Sequence, residues 1–250
     1  MDNIEFFKPY PPYLCMHVRT FVEDMEQVAP PDLAEDFDAG KIGLVVEGKT
    51  TVIRICCALD ATPHVVKTAV LASADMLVVH HTPLWKPVTA LTGRTADLMR
   101  ALLSANINLY VMHTNFDRAA GGVNDALAEL LAIKDASPMT LGCIGTCNLK
   151  REEISRRLGG NIRIWGDIKK TERLALVAGS GFDPSLIDEA NNRGADSFLS
   201  AEMKHSVARS SPLPCIEATH YALEAPAMQR LSHRKGWMYI DDTPLLQTII

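Results

Sequence analysis

The sequence has no long hydrophobic run. Its longest apolar region, 65–79, is interrupted by Lys67, Ser73 and Asp75, whereas a membrane helix needs about 20 consecutive apolar residues. The first five residues include two acids where a secretory signal would place a basic segment followed by an apolar one. We therefore expect a cytoplasmic protein that has no membrane partner.

Cysteine occurs six times, but without a disulfide or zinc-knuckle pattern. Cys56 and Cys57 are neighbours in an apolar stretch, and the spacing between Cys143 and Cys147 is wrong for a zinc knuckle. We expect all six thiols to be reduced, most of them in the core, as is usual in a reducing compartment.

An excess of positive charge is also missing, since the formal net charge is -5. Nonspecific affinity for nucleic acid comes mainly from Lys and Arg side chains that displace condensed counterions. Nucleic acid is therefore an unfavoured partner, although a local basic patch would be compatible with it.

The chain contains no Gly-x-Ser-x-Gly elbow, so a serine hydrolase has little support.

The chain does contain a repeated alternation of apolar strand patterns and helix patterns. After a helix at 19–28, the pattern predicts strands at 51–58, 76–79 and 107–112 and helices at 63–74, 95–105 and 123–132. Apolar strands that alternate with helices are typical of a largely parallel sheet covered on both faces. The proline-rich start, with Pro9, Pro11 and Pro12, predicts an irregular N-terminal extension.

The alternation pauses at 134–138, and a second set of elements follows. We predict strands at 140–146, 161–165, 173–178, 196–200, 213–218 and 237–240, a helix at 148–158 capped by Asn148, another between Asp183 and Gly194, and a last one at about 225–235. The pause indicates a domain boundary, so we expect an α/β protein with two parts.

Histidines and carboxylates follow three of the predicted strands. In an open α/β sheet, ligands collect beyond the carboxyl ends of the strands, so we expect these side chains to converge. The strand ends deliver His80 with His81, then His113 with Asp117 four residues later, and then His220 with Glu224 four residues later. A lone histidine is more often an ordinary polar residue, but this repetition predicts a metal site.

Histidine and carboxylate ligands without cysteine suit zinc, iron, manganese, nickel or cobalt, and the sequence leaves that choice open. One catalytic zinc takes about three protein ligands and a water, so five or six candidates fit two ions better than one. A carboxylate can bridge two ions, and we predict that Glu224 does so while Asp117 binds one ion terminally. Because consecutive side chains diverge, we expect His80 and His81 to bind different ions.

Glu202 and His205 follow another strand end and, with His113, are our candidates for proton transfer. Glu202 and His205 could equally belong to the solvated first turn of a helix. The pair Gly121-Gly122 could present backbone amides to a phosphate, but a steric need for glycine in a helix-entry turn is favoured. The stretch Gly179-Ser180-Gly181 has the same two interpretations and lacks the spacing of a dinucleotide or P-loop fingerprint.

Several motifs, in the same order, resemble the NGG-interacting-factor family of dimetal proteins, whose members are often named GTP cyclohydrolase I type 2 homologues. They are Leu59-Asp60-Ala61-Thr62-Pro63, Val79-His80-His81-Thr82-Pro83-Leu84, His113-Thr114-Asn115-Phe116-Asp117, Gly121-Gly122-Val123-Asn124-Asp125, Ala178-Gly179-Ser180-Gly181, Glu202-Met203-Lys204-His205 and Thr219-His220-Tyr221-Ala222-Leu223-Glu224. The match extends over about 29–231. The order and number of these motifs make the resemblance specific.

The resemblance implies two interlinked α/β lobes with mixed, largely parallel sheets, a dimetal site between them, and a ring-shaped homohexamer. It implies a discontinuous first lobe, 1–135 plus about 225–250, and a second lobe, 136–224, without the long insertion of other members. The metal ligands that it implies are His80, His81, Asp117, His220 and Glu224, with His113 either a ligand or close to the metals.

The sequence departs from the family pattern at two places. The usual Asp-Asn pair before the Gly43-Leu44 turn is replaced by Asp38-Ala39-Gly40-Lys41-Ile42, and His205 is followed by Ser206 where a second histidine is common. Substrate contacts are therefore not carried over at these positions.

These observations support two main hypotheses about function. The first is a metal-dependent hydrolase that acts on a nucleotide-like or other small phosphorylated substrate. The alternative is a non-enzymatic metal-binding scaffold or regulator that binds partners. A third hypothesis, nucleic-acid binding in a ring channel, requires basic residues on the inner surface.

Overall fold

The computed structural model describes residues 15–246, so the predicted irregular extension around Pro9–Pro12 lies outside the described residues. The helices are α1 Val18–Val28, α2 Pro63–Leu71, α3 Gly93–Ser104, α4 Thr114–Arg118, α5 Val123–Leu130, α6 Arg151–Arg157, α7 Pro184–Asn192, α8 His205–Ser210 and α9 His220–Lys235. The strands are β1 Met16–His17, β2 Gly43–Val46, β3 Thr51–Val52, β4 Ile55–Asp60, β5 Met76–His81, β6 Asn108–Val111, β7 Lys134–Pro138, β8 Cys143–Lys150, β9 Arg163–Trp165, β10 Lys170–Leu176, β11 Ser197–Ser200, β12 Cys215–Glu217 and β13 Met238–Tyr239. None of the helices within 15–246 is both long and apolar enough to cross a membrane.

The first large sheet has five strands in the order β13-β4-β5-β6-β2. Four of them are parallel, and β2 runs antiparallel to its neighbour β6. Because β4, β5 and β6 are parallel neighbours, their carboxyl ends lie at one edge of the sheet. The last strand of the described chain, β13, returns to pair with β4.

The second large sheet has six strands in the order β7-β8-β10-β11-β12-β9. Its inner strands β10, β11 and β12 are parallel, and the remaining pairings are antiparallel. The expected α/β class with mixed sheets is therefore confirmed, whereas the predicted domain boundaries stay a prediction.

At 134–138, where the sequence pattern pauses, the structure has β7 at the edge of the second sheet, a strand that the sequence did not predict. Most of the side chains of β7 are exposed, so an apolar run is absent, and an edge strand tolerates Pro138.

The predicted helix cap at Asn148 was wrong. Asn148 lies within β8 with φ +53°, a conformation that asparagine tolerates, and α6 begins only at Arg151.

The largest hydrophobic cluster joins the two large sheets. It contains Val78 of β5 and Leu176 of β10, together with Leu127 of α5 and Met228 of α9. A second cluster lies on the opposite face of the first sheet, beneath α2 and α3, and a third lies beneath α7 of the second sheet. Helix α9 therefore belongs to the core that both sheets share.

Helix α9 begins five residues earlier than predicted, at His220, where the Thr219 side chain accepts a hydrogen bond from the Ala222 amide. Pro226 lies inside this helix. Proline is favoured in a first turn and disfavoured in a helix interior, so the sequence pattern was more typical of a start near residue 225. The earlier start brings Glu224 into the helix, one turn after His220.

Candidate metal centre

Three elements deliver the predicted ligands to one place between the sheets. Strand β5 ends with His80, which is fully buried, and His81. His113 follows β6 and precedes α4, which carries Asp117. The second sheet contributes α9, which directly follows β12 and presents two ligands four residues apart and therefore on one face.

The side chains converge on the Oε2 atom of Glu224. This atom lies 2.9 Å from His220 Nε2, 3.0 Å from His81 Nε2 and 3.6 Å from His80 Nε2. Asp117 Oδ1 lies 3.5 Å from the same His80 nitrogen. Glu224 is only 3% exposed, so four side chains surround a carboxylate that water barely reaches.

Short distances within the cluster do not correspond to good hydrogen bonds. His80 Nε2, Asp117 Oδ1, His220 Nε2 and Glu224 Oε2 are all buried and lack a partner with hydrogen-bond geometry. Buried polar atoms are nearly always hydrogen-bonded, so a set that faces one another unpaired needs a further partner. A cation coordinated by these atoms would satisfy them, and the donor set fits a divalent metal.

Three overlapping groups of ligand atoms could each hold a metal ion. The groups are His80, His81 and His113; His81, His220 and Glu224; and His80, Asp117 and Glu224. All predicted ligands therefore lie in one cluster, and Glu224 belongs to two of the groups. His113, which sequence reasoning left as either a ligand or a neighbour, also falls within it.

Carboxylates outside the cluster hold the histidine rings. His81 Nδ1 lies 2.7 Å from Asp60 Oδ1, and His220 Nδ1 lies 2.8 Å from Glu202 Oε1. A carboxylate at Nδ1 favours the tautomer with the proton on that nitrogen, which leaves Nε2 available to a metal.

Asp38 plays the corresponding role at His113. Its Oδ2 lies 2.8 Å from His113 Nδ1 and also accepts hydrogen bonds from the backbone and hydroxyl of Thr114. Asp38 is buried, and it sits on a short 3-10 turn, Asp36–Asp38, that precedes β2. One carboxylate thus fixes both the ring of His113 and the start of α4.

Burial governs the protonation of three members of the cluster. It lowers the pKa of His80 to about 3, and it lowers the pKa of His113 despite the nearby Asp38 carboxylate. Burial and the charge of Glu224 raise the pKa of Asp117 well above its usual range. His80 is therefore neutral at neutral pH, the state that a metal ligand requires.

The other two imidazoles have the opposite shift. Burial opposes a charge on His81 and His220, but the negative charge of Glu224 and the hydrogen bonds with their outer carboxylates raise the pKa of His81 to about 10 and that of His220 to about 9. Glu224, although buried, has a lowered pKa because of the surrounding histidines. A divalent ion that binds here would replace these protons as the positive charge beside Glu224.

The cluster opens onto a cavity of about 450 Å³. His81 and His220 lie at the boundary between cavity and cluster, and Pro83, Trp85 and Arg94 are among its other walls. The candidate metal centre is therefore accessible from the side of α9 and β5. A volume of this size suits a small-molecule ligand.

The glycine stretches Gly121-Gly122 and Gly179-Ser180-Gly181 need glycine for different steric reasons. A Cβ atom at Gly122 would lie 1.9 Å from the carbonyl oxygen of Phe116, so glycine is required there for steric reasons, as favoured from the sequence. At Gly179, where φ is +68°, a Cβ atom would lie 2.2 Å from Glu224 Oε1. Gly179 thus allows the backbone to pass directly against the central carboxylate.

The candidates for proton transfer lie in different places. His113 is in the cluster, Glu202 contacts His220 from outside, and His205 is exposed on the first turn of α8. Neither Glu202 nor His205 belongs to the metal-binding groups found within 15–246. Their catalytic roles stay predictions.

Sequence reasoning missed the roles of Asp60 and Asp38. Asp60 ends β4 and pairs in register with His81 of β5, so a search for acids at the ends of neighbouring parallel strands would have found it. Asp38 lies on an isolated turn far from His113 in the chain, and no local pattern marks it.

Known proteins resemble this chain in sequence and in fold. Residues 16–235 match the model of the family described as Duf34/NIF3 (NGG1p interacting factor 3). A GTP cyclohydrolase 1 type 2 homolog from Streptomyces coelicolor is 32% identical over 247 residues, covering 85% of this chain and 86% of that protein. Among solved structures, protein ybgI, of unknown function, superimposes with a TM-score of 0.81 at 27% identity, covering 92% of this chain and 99% of that one. Reduced HcgD from Methanocaldococcus jannaschii has a TM-score of 0.78 at 27% identity, covering 91% and 98%.

Proposed function

This chain belongs to the Duf34/NIF3 (NGG1p interacting factor 3) family, and from that premise and the site geometry we propose that it is a dinuclear, metal-dependent hydrolase. The proposed substrate is nucleotide-like or another small phosphorylated molecule. Family membership confirms the resemblance drawn from the sequence motifs. The observation that carries the proposal is the position of Glu224, whose Oε2 atom lies within 3.6 Å of the Nε2 atoms of His80, His81 and His220 and which belongs to two of the three groups that could each hold an ion.

In this proposal each ion has its own terminal ligands. His80 and Asp117 would hold one ion, His81 and His220 would hold the other, and Glu224 would bridge them. Two divalent ions bound in this way supply Lewis acidity and lower the pKa of water. Zinc, iron, manganese, nickel and cobalt are all compatible with these ligands.

Residues around the ions would bind substrate and move protons. His113 is neutral at neutral pH because its pKa is lowered, so it can accept a proton, and Asp38 at Nδ1 stabilises the imidazolium that results. Glu202 would orient His220. His205, exposed on α8, is a weaker candidate because it lies outside the metal-binding groups of the described residues. The cavity beside His81 supports access by substrate.

A non-enzymatic metal-binding scaffold or regulator is the second candidate function. The depth of His80 and Glu224 favours it, because a metal at that depth would join elements of both sheets. We also propose that the protein assembles as the homohexamer that the family resemblance implies. Exposed apolar side chains such as Val88, Leu91 and Leu103 are compatible with an assembly, and light scattering of the purified protein tests it.

The deciding experiment measures metal content and turnover on the same samples. We expect two ions per chain by elemental analysis and hydrolysis of at least one member of a panel of nucleotides and small phosphoesters. Glu224→Gln should lose at least one ion per chain and most of the turnover. Glu129→Gln, an exposed glutamate on α5 that pairs with Arg230, is the matched control and should change neither.

The outcomes separate the two functions. Two ions per chain without turnover of any member of the panel would reject the hydrolase and favour the scaffold. Fewer than two ions in the wild-type protein would reject the dinuclear centre, as would a Glu224→Gln variant with unchanged metal content.

A further inference from the structure

Two aromatic rings lie exposed beside the candidate metal centre. Phe37 is 56% exposed and Trp85 is 45% exposed, although both are large and apolar. The Trp85 ring meets the His113 ring edge-on, with centroids 5.0 Å apart, and the Phe37 ring lies 6.2 Å from it. Exposed aromatic rings grouped at a site are typical of surfaces that bind a ligand.

The turn that builds the metal centre also positions one of these rings. On the 3-10 turn Asp36–Asp38, Asp38 points inward to His113 while Phe37 points outward. The Lys41 amide donates a hydrogen bond of 2.8 Å to the Asp38 carbonyl, which holds the next part of the loop close.

Lys41 places a positive charge between the two rings. Its Nζ lies 5.6 Å from the centroid of Phe37 and 5.3 Å from that of Trp85, within the range of cation–π interactions. Within residues 15–246, Lys41 has no carboxylate partner at ion-pair distance. Its ammonium group can therefore still pair with an anion from solution.

Arg94 adds a second cation on the cavity side of Trp85. Arg94 and Trp85 both line the 450 Å³ cavity, whose boundary also includes His81 and His220. Arg94 is exposed near the start of α3 and, like Lys41, lacks an ion-pair partner in the described part of the chain. In a protein with a net charge of -5, two unpaired cations beside an aromatic ring would attract an anionic ligand locally.

We propose that Phe37, Lys41, Trp85 and Arg94, here called the aromatic mouth, select ligands that join a planar aromatic ring to an anionic group. The ring stacks on Trp85, and the anion pairs with Lys41 or Arg94. A nucleoside monophosphate has this chemistry, whereas a sugar phosphate lacks the ring and a nucleoside lacks the charge. This inference rests on the proposed function, because it names the substrate class of the same site.

Calorimetric titration of the metal-loaded protein with three probes tests the inference. Adenosine 5′-monophosphate should bind at least about tenfold more tightly than adenosine or ribose 5-phosphate, since each lacks one of the two contacts. Trp85→Leu should weaken binding of the nucleotide about tenfold or more, the range expected for loss of base stacking, without changing ribose 5-phosphate binding. Trp85→Phe should restore most of the loss.

Charge variants complete the design. Lys41→Gln and Arg94→Gln should weaken binding of the nucleotide and of ribose 5-phosphate but not of adenosine. Arg100→Gln is the matched control, because Arg100 lies on the same helix as Arg94 but pairs with Asp97. Circular dichroism and metal content of every variant verify that the fold and the centre are intact.

Two results would overturn the inference: a nucleotide that binds no better than ribose 5-phosphate, or a Trp85→Leu variant with unchanged nucleotide affinity. Either result, with two ions still bound per chain, would reject the role of the aromatic mouth in ligand selection without contradicting the proposed metal centre. If the chain takes up no metal, the same titration on the metal-free protein is decisive. A retained preference for the nucleotide then supports the mouth while the proposed function fails.

Discussion

Gly179→Ala is the most direct probe of the central carboxylate. With φ at +68°, an alanine at this position is strained by about 1–2 kcal/mol in the left-handed region. Its Cβ atom would also lie 2.2 Å from Glu224 Oε1, so the carboxylate must move by roughly 1 Å to reach ordinary contact. The substitution therefore perturbs Glu224 without changing any candidate ligand.

The expected effect on metal binding follows from that displacement. We expect metal affinity to fall by about 10–100-fold, the range found when groups that orient metal ligands are altered. Gly194→Ala is the matched control, because Gly194 has φ +77° and a Cβ atom there would have no neighbouring atom within 4 Å. The Gly194→Ala variant therefore carries the same backbone strain without displacing any side chain of the metal cluster.

Two assays separate strain from displacement. Urea unfolding in the presence of a chelator should show a loss of about 1–2 kcal/mol for Gly194→Ala, from the left-handed backbone conformation alone, and at least as large a loss for Gly179→Ala, where the displaced Glu224 adds to the same strain. Competition with a chromogenic chelator should show weaker metal binding for Gly179→Ala alone. Equal metal affinity for the two variants would refute the reasoning, because Glu224 could then not be a ligand in the position described.

Three further predictions concern protonation, an outer carboxylate and a bridging amide. The raised pKa values of His81 and His220, about 10 and about 9, mean that metal binding must release protons at neutral pH. Affinity should thus fall as pH falls, by about tenfold per pH unit for each proton released, and calorimetry in buffers of different ionisation enthalpy should detect the release; a pH-independent affinity would contradict this. Asp60→Asn should weaken metal binding about 10–100-fold, because it loosens the ring of His81, whereas the exposed control Asp97→Asn should not; equal affinities would exclude this role. Asn124 donates to the Asp117 carbonyl and accepts from the Ala178 amide, so Asn124→Ala should lower the free energy of unfolding by about 1–3 kcal/mol in urea titrations, and a change below about 0.5 kcal/mol would argue against the bridge.

The candidate ligands could be predicted because they follow strands whose geometry is regular. In a parallel sheet, side chains at the ends of β5 and β6 must lie at the same edge, whatever the rest of the chain does. His80, His81 and His113 were found for this reason. His220 was found from the end of β12, although that strand belongs to the other sheet.

Features that depend on tertiary contacts could not be read from local patterns. Strand β7 lacks an apolar run because it is an edge strand, and α9 tolerates Pro226 within a helix that is buried between the sheets. Asp38 reaches His113 only because the whole first sheet brings them together. Such contacts join residues far apart in the chain, so neither periodicity nor spacing indicates them.

The carboxylates Asp60, Asp38 and Glu202 also bear on how the centre would be loaded in a cell. Each already holds one histidine nitrogen, so the rings need little rearrangement when an ion arrives. A centre assembled in advance from imidazoles and carboxylates accepts several divalent ions of similar size, since geometry and ligand type alone discriminate weakly among them. Its occupant would then be decided by which metal the cell keeps available, and the metal found after purification would report on the growth medium as much as on the protein.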